Sequence, residues 1–243
     1  MAMSVQAVGL AVEVLSEVEV RRKSEKLAMS EATARMGLRD PGVIRFAHRL
    51  VMETLKHLNL LDEIIKVALD REGLSPSELR ARVRAFLRLL AYRAAIEKAD
   101  RRALVDFVRA AREALGPGAL RPVEGCLGLI TLLSAEDVLA TRHGDERLAL
   151  ELRVPRWLLE ELSRSLGRRG ALDFLRASLS PLPTYIRLNT LRGEEDAILR
   201  ALEEEGVELR PVEGLRFVYE VLSAPGPLVL TDSYRRGLFY IQD

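Results

Sequence analysis

The stretch that decides the fold is PRWLLEELSRSLGRRGALDFLRASLSPLPTYIRLNTLR, residues 155–192. Its first part has leucines at three- and four-residue spacings as far as Leu166, which predicts an amphipathic helix, and Gly167 suits the end of that helix. A second helical segment over 172–179 is terminated by the Ser-Pro-Leu-Pro sequence that follows it. The helical pattern therefore reaches this point of the chain and stops here.

A strand pattern replaces the helical one at residue 184. In Thr-Tyr-Ile-Arg-Leu-Asn, Tyr185 and Arg187 lie on the face opposite Ile186 and Leu188. The rest of the chain predicts an acidic helix over 193–206 and further strands over 207–212, 215–221 and 238–242. Residues 183–243 therefore predict a small α+β domain that begins strand, helix, strand, strand. The chain stops inside its last strand pattern, so we expect the full protein to be longer.

The chain upstream of this stretch has a helical pattern throughout. Apolar residues recur at three- and four-residue spacings from residue 4 onward, and Ser75-Pro76 combines an N-cap residue with proline in the first helical turn. The prediction is a mainly α protein. It comprises an all-helical bundle over 1–140, a helical connector over 141–182 and the α+β domain over 183–243.

One predicted helix of the bundle, residues 78–98, carries Arg80, Arg84 and Arg88 at four-residue steps. Like charges at this spacing destabilise a helix by about 0.2–0.5 kcal/mol per pair unless opposite charges neutralise them. Two interpretations remain open at this point. Carboxylates from neighbouring helices balance the arginines, or the arginines contact an anion such as RNA.

Composition excludes several classes of protein. Lys+Arg 37 and Asp+Glu 36 nearly balance, so any nucleic-acid signal is local rather than global. The single cysteine, Cys126, excludes a disulfide framework, fits a reducing cytoplasm, and lies among leucines and isoleucine as a core residue would rather than a nucleophile. Three histidines far apart in sequence make a metal site unexpected, and no apolar run is long enough to predict a membrane span.

The motifs of residues 155–243 resemble those of a known family. PRWLLEELSRSLG is similar to the PRWL-type helix of the Sun (Fmu) family of RNA cytosine methyltransferases, and TYIRLNTLR to its strand with the R-x-N-T-L pattern. AILRALEEEGVELRPV resembles the following helix and strand, and GLFYIQD the opening of the methyltransferase core. Less specifically, the helical first part resembles the NusB-like RNA-binding domain that members carry at the N-terminus.

The resemblance implies what this chain contributes. The family binds S-adenosylmethionine at a glycine-rich turn of a Rossmann-like domain and uses two catalytic cysteines. These 243 residues have no such turn, and Cys126 lies in the wrong domain. We therefore expect no catalytic residue, cofactor site or methyl transfer in this chain alone. It is expected to hold structured RNA, ribosomal or transfer, for a catalytic domain that would follow Asp243.

Six side chains are the candidates for RNA contact: Arg80, Arg84, Arg88, Arg156, Arg187 and Asn189. An arginine can pair with phosphate through two hydrogen bonds, and an asparagine can read a base edge. Each also has a structural alternative: Arg187 can pair with the acidic helix, and Asn189 can cap the turn at Thr190. The alternative function is a stand-alone NusB-like RNA-binding or antitermination protein that works as an adaptor.

Overall fold

A computed structural model of the chain describes residues 4–116, 118–180 and 182–242. The chain divides into two compact units, Met1–Arg176 and Ala177–Asp243, which we call the helical unit and the sheet unit. The first is built from helices, and the second contains a four-stranded antiparallel sheet. The predicted fold class, mainly α followed by a small α+β part, is confirmed. Assignment of residues 141–182 to a separate connector stays a prediction.

The helices that begin in the helical unit are short and follow one another closely. They are α1 (Val5–Arg21), α2 (Glu25–Arg35), α3 (Pro41–Lys56), α4 (Leu58–Asp70), α5 (Ala81–Ala91), α6 (Arg101–Leu115), α7 (Glu124–Leu132), α8 (Ala135–Ala140), α9 (Gly144–Glu151) and α10 (Arg156–Leu179). Side-chain oxygens of Ser24, Asp40 and Asp100 accept hydrogen bonds from the first turns of α2, α3 and α6. These caps satisfy backbone N–H groups that have no partner inside the helix.

Helix α1 is the centre of the helical unit. It packs against α2, α3, α5 and α6, and its side chains from Ala7 to Leu15 are almost completely buried apart from Glu13. At Gly9 an added Cβ would lie 3.4 Å from the Cβ of Ala114 on α6, so the absence of a side chain allows the two helices to approach closely. Most buried apolar residues from Ala7 to Leu150 therefore form one core, and a second, smaller cluster contains Ala149, Leu152, Leu159 and Leu175.

The predicted helix over 78–98 is divided into three parts. Ser75 and Glu78 form a capping box on a short 3-10 turn, Pro76–Glu78, and the chain is then extended through Leu79, whose ψ is 146°. Helix α5 begins only at Ala81 and is followed by a π-helical turn, Tyr92–Ile96. The interruption turns Leu79 into the core, where its exposure is 8%.

Helix α10 contains the break that Gly167 predicts. The glycine has φ 72° and ψ 160°, a left-handed conformation that no residue of a regular helix adopts. The two helical segments on either side of it are therefore distinct, as the sequence indicates.

The sheet unit contains β1 (Thr184–Leu188), α11 (Glu195–Glu204), β2 (Glu208–Pro211), β3 (Val218–Ser223), α12 (Asp232–Arg235) and β4 (Phe239–Gln242). The strand order is β2-β3-β1-β4, and all neighbours are antiparallel. Ile186, Leu188 and Phe239 pack with Ile198 and Leu202 of α11 in the core of this unit. One face of the sheet is therefore buried, and β1 lies in the middle with β4 at one edge.

Candidate nucleic-acid interface

The outward face of the sheet unit combines aromatic and charged side chains. Because side chains alternate along a strand, Tyr185 and Arg187 point away from the core that Ile186 and Leu188 enter. Arg187 is exposed, and Tyr185 is half-buried. This confirms the alternation that the sequence predicts for residues 184–189.

The register of the sheet places a second tyrosine beside Arg187. Tyr240 of β4 is the direct cross-strand partner of Arg187, and Gln242 is the partner of Tyr185. Side chains of directly paired residues have Cβ atoms about 4.5–5.5 Å apart, so Arg187 and Tyr240 form adjacent parts of one surface. Tyr240 is 57% exposed. We call Tyr185, Arg187 and Tyr240 the open-face cluster.

The charges near the open-face cluster are not equally available. On β3, Glu220 is the cross-strand partner of Tyr185, and it is held by Arg210 of β2 with Nη2 2.6 Å from Oε2. Arg187 has no carboxylate within ion-pairing distance among residues 4–116, 118–180 and 182–242. The acidic helix α11 therefore does not neutralise Arg187, and its guanidinium is available to an external anion.

Asn189 is engaged within the sheet unit. Its Nδ2 donates to the carbonyl oxygen of Gly237 at 2.8 Å and to the hydroxyl of Tyr240 at 3.3 Å. Its Oδ1 accepts the N–H of Leu191 at 3.3 Å, as the turn-capping alternative requires. The amide therefore ties the end of β1 to the turn before β4 and restrains Tyr240.

A third tyrosine of the sheet points the other way. Tyr219 is paired in register with Ile186, and its hydroxyl donates to Oε1 of Glu195 on α11 at 2.6 Å. Burial, with the adjacent Glu195 carboxylate, raises the pKa of Tyr219 to about 12. Tyr219 therefore belongs to the packing of the sheet on α11 and not to the open-face cluster.

In the helical unit, Arg84 and Arg88 have carboxylate partners on other helices. Arg88 donates to both carboxylate oxygens of Asp62, at 2.6 and 3.0 Å, and to Glu19 at 2.7 Å. Arg84 donates to Glu19 at 2.7 Å and to the carbonyl oxygens of Pro76 and Leu79. We call Glu19, Asp62, Arg84 and Arg88 the α1–α4–α5 ion network. Of the two interpretations left open by the sequence, the geometry at these two arginines fits the internal one.

The network also affects ionisation. Burial raises the pKa of the Glu19 carboxyl, but hydrogen bonding to Arg84 and the charges of Arg88 and Arg84 outweigh it, and the pKa lies below its usual value of 4.5. Glu19 is therefore held in its charged form in the folded protein.

The other two candidate arginines are exposed. Arg156, at the start of α10, pairs with Glu160 one turn later, with 2.7 Å between Nε and Oε1, and 66% of its side chain is exposed. Arg80 immediately precedes α5 as its N-cap residue, and its side chain makes no capping hydrogen bond to this helix. An exposed pair such as Arg156–Glu160 contributes little stability and can exchange for another anion.

Cys126 lies in the core of the helical unit, where burial raises the pKa of its thiol. The described residues contain no group of three or more metal-binding side chains. None of the helices among them has the length and apolar character needed to cross a membrane.

Sequence reasoning missed the role of Tyr240. The sequence predicts the strand over 238–242, but Tyr240 is not among the six candidate residues. Which residue of that strand lies beside Arg187 depends on the β1–β4 register, for which the sequence contains no local signal. The sequence does predict, from alternation with Ile186 and Leu188, that Tyr185 and Arg187 lie on the same face of the sheet.

Comparison with known proteins agrees with the fold. Residues 154–217 match the family model described as Methyltr_RsmF/B-like, ferredoxin-like domain. The chain is 26% identical over 196 residues to the "probable ribosomal RNA small subunit methyltransferase B" of Bacillus subtilis (strain 168). That alignment covers 80% of this chain and 42% of the relative, so the chain spans less than half of that protein.

A solved structure gives the same fold. The crystal structure of PH0851 superimposes with a TM-score of 0.61 at 20% identity, covering 100% of this chain and 54% of that one. At this identity the likeness concerns the fold alone.

Together these findings define a class: a helical unit followed by a ferredoxin-like domain of the kind associated with RsmF/B-like methyltransferases. These findings confirm the resemblance to the Sun (Fmu) family that the motifs of residues 155–243 indicated.

Proposed function

We propose that this chain is the RNA-holding part of an S-adenosylmethionine-dependent RNA cytosine-5 methyltransferase. In this proposal a catalytic domain outside these residues binds the methyl donor and carries out the transfer. The substrate is structured RNA, ribosomal or transfer, in the cytoplasm. No residue of this chain is assigned a catalytic role.

The observation that carries the proposal is the direct pairing of Arg187 with Tyr240 on the exposed side of the sheet. An exposed aromatic ring offers a stacking surface to any unpaired base, and this contributes about 1–3 kcal/mol per base. A guanidinium beside it can bind the adjacent phosphate through two hydrogen bonds. The four-stranded sheet of RRM domains stacks RNA bases on aromatic side chains of its open face in this way.

The arrangement suits the chemistry proposed for the whole enzyme. A base inside a duplex must be unpaired before its ring is accessible, at a cost of a few kcal/mol. Stacking of neighbouring unpaired bases on Tyr185 and Tyr240 would offset part of this cost, while Arg187 would bind a phosphate of the RNA backbone. Asn189 is then a positioning residue, because it holds the hydroxyl of Tyr240.

The remaining candidates have graded roles in this proposal. Arg80 and Arg156 are exposed and would add phosphate contacts. Arg84 and Arg88 would act only by holding α5 in place, since their guanidiniums are engaged by Glu19 and Asp62.

The test is binding of a fluorescent hairpin RNA with an unpaired loop, measured by anisotropy at several salt concentrations. We expect salt-dependent binding by the full chain, and about tenfold or greater weakening in the double variant Arg187→Ala/Tyr240→Ala. The matched control is Arg200→Ala, which removes an exposed arginine from α11, the helix on the buried side of the sheet.

Two results would overturn the proposal. One is absence of RNA binding at low salt, or binding that does not depend on salt. The other is equal affinity in the double variant and the Arg200→Ala control, since RNA would then not contact the open-face cluster.

A further inference from the structure

A second basic site lies in the helical unit, in a groove between the start of α5 and the turn that follows α6. The groove has a volume of about 530 Å³. Leu79, Val83 and Leu115 give it an apolar floor, and Arg80, Arg82 and Arg121 line it as well. These residues come from two separate parts of the chain that the fold brings together.

The charges in this groove are only partly balanced. Arg82 is paired with Glu13, with Nη2 2.6 Å from Oε1. The one carboxylate of the groove, Glu78, accepts the N–H of Ser75 at 2.9 Å in the capping box. Within the described part of the chain, neither Arg80 nor Arg121 has a carboxylate within ion-pairing distance. Two exposed guanidiniums therefore face one cavity without an internal partner.

The backbone adds to the positive potential at Arg80. This residue is the N-cap of α5, and its side chain makes no capping hydrogen bond. The first-turn N–H groups and the helix dipole at this end favour an anion. On the opposite wall, Gly118 has φ +84°, and an added Cβ would lie 3.6 Å from Nε of Arg121. The positive φ of this residue favours glycine, and the Arg121 side chain lies in van der Waals range of it.

We propose that this groove binds backbone phosphate of RNA, with Arg80 and Arg121 as the two ligands. A phosphate between the two guanidiniums leaves the attached ribose over the apolar floor. The site lies in the helical unit, whereas the open-face cluster lies in the sheet unit, so the chain would contact RNA at two separate places. The inference rests on the proposed function in so far as RNA is the ligand.

The test compares two double variants that lose the same charge. Arg80→Ala/Arg121→Ala removes the proposed ligands. Arg45→Ala/Arg102→Ala removes two exposed arginines that do not line the groove. Arg102 is near the start of α6, about 20 Å along the helix from Leu115, which lines the groove at the other end. Affinity for the hairpin RNA is measured at several salt concentrations, with melting temperature as the check on folding.

We expect the groove variant to bind about fivefold to tenfold more weakly, with a salt dependence reduced by roughly 0.7–0.9 in log–log slope, as for loss of one phosphate contact. The control variant should change less than twofold. A second variant, Ala119→Glu, places a carboxylate in the groove and should weaken binding similarly without removing either arginine.

Other outcomes would overturn the inference. Equal weakening by the two double variants would mean that only net charge matters. Displacement of the RNA by polyglutamate at matched charge would mean a site for acidic chains rather than for phosphate, and binding of inorganic phosphate without any effect on RNA would mean a site for the free ion. If wild-type RNA binding depends on the open-face cluster and the groove variants are neutral, this inference fails while the proposed function stands.

Discussion

Arg88 in the helical unit and Arg187 in the sheet unit are both arginines, but they differ in burial and in their carboxylate partners. Arg88 is 13% exposed and donates to Asp62 and Glu19. Arg187 is exposed, lies beside Tyr240, and has no carboxylate partner in the described ranges. The first charge is used by the fold itself, and the second remains available. The comparison teaches that an arginine in a basic pattern is informative about a ligand only when its internal partners are known.

The largest effect is expected from removing the internal charge. Arg88→Ala leaves Asp62 without its arginine partner and removes a buried aliphatic stem. We expect the free energy of unfolding of the helical unit to fall by about 2 kcal/mol, with RNA affinity unchanged within twofold. Urea unfolding followed by circular dichroism measures the first, and anisotropy measures the second. A stable variant that has lost RNA binding would reverse the comparison.

The next effect concerns the aromatic neighbour of Arg187. Tyr240→Ala removes a ring that is 57% exposed, so it should weaken RNA binding about tenfold while lowering stability by less than about 1 kcal/mol. Tyr240→Phe keeps the ring and loses only the hydrogen bond from Asn189, and it should retain most of the affinity. If the two variants are equally impaired, stacking is not the interaction that binds RNA.

The ion network predicts a pH dependence. The pKa of Glu19 is lower in the folded state than its usual value of 4.5, so its stabilising contribution is complete above pH of about 4.5 and is lost as pH falls through the folded pKa. We expect Glu19→Gln to cost about 1 kcal/mol at pH 7 and less at pH 3. Chemical denaturation at both values checks this. A difference between wild type and variant that grows on acidification would contradict the assignment.

The smallest effect is expected at Arg187 itself. Arg187→Ala should reduce RNA affinity about threefold and leave the melting temperature nearly unchanged, because an exposed single phosphate contact contributes about 0.5–1 kcal/mol. Arg187→Lys should restore the salt dependence but not all of the affinity, since lysine lacks the planar fork. A large loss of stability with intact binding would show that Arg187, like Arg88, is structural.

Local patterns in the sequence predicted most of the fold. Spacing of apolar residues predicted the helices, and alternation at 184–189 predicted the face on which Arg187 lies. These features depend on neighbours within one helical turn or two strand positions. They are therefore visible without knowledge of the rest of the chain.

The partners of the candidate residues could not be predicted because they are distant in sequence. Glu19 and Arg84 are separated by 65 positions, and Asn189 and Tyr240 by 51. The sequence therefore shows no carboxylate partner for Arg84 and Arg88, although α1 and α4 supply one in the folded protein. The split of the predicted 78–98 helix also depended on tertiary packing, because burial of Leu79 in the core outweighs continuation of the helix.

The hydrogen bonds from Asn189 to Gly237 and Tyr240 also bear on the order of events during synthesis. Because domains generally fold as units while the chain emerges from the ribosome, α1 to α9 can complete their shared core before any strand has been made. The open-face cluster depends on a β1–β4 pairing that forms only when residues 239–242 are available. A nascent chain would thus acquire a folded helical unit first and the open-face cluster only after β4 has been made.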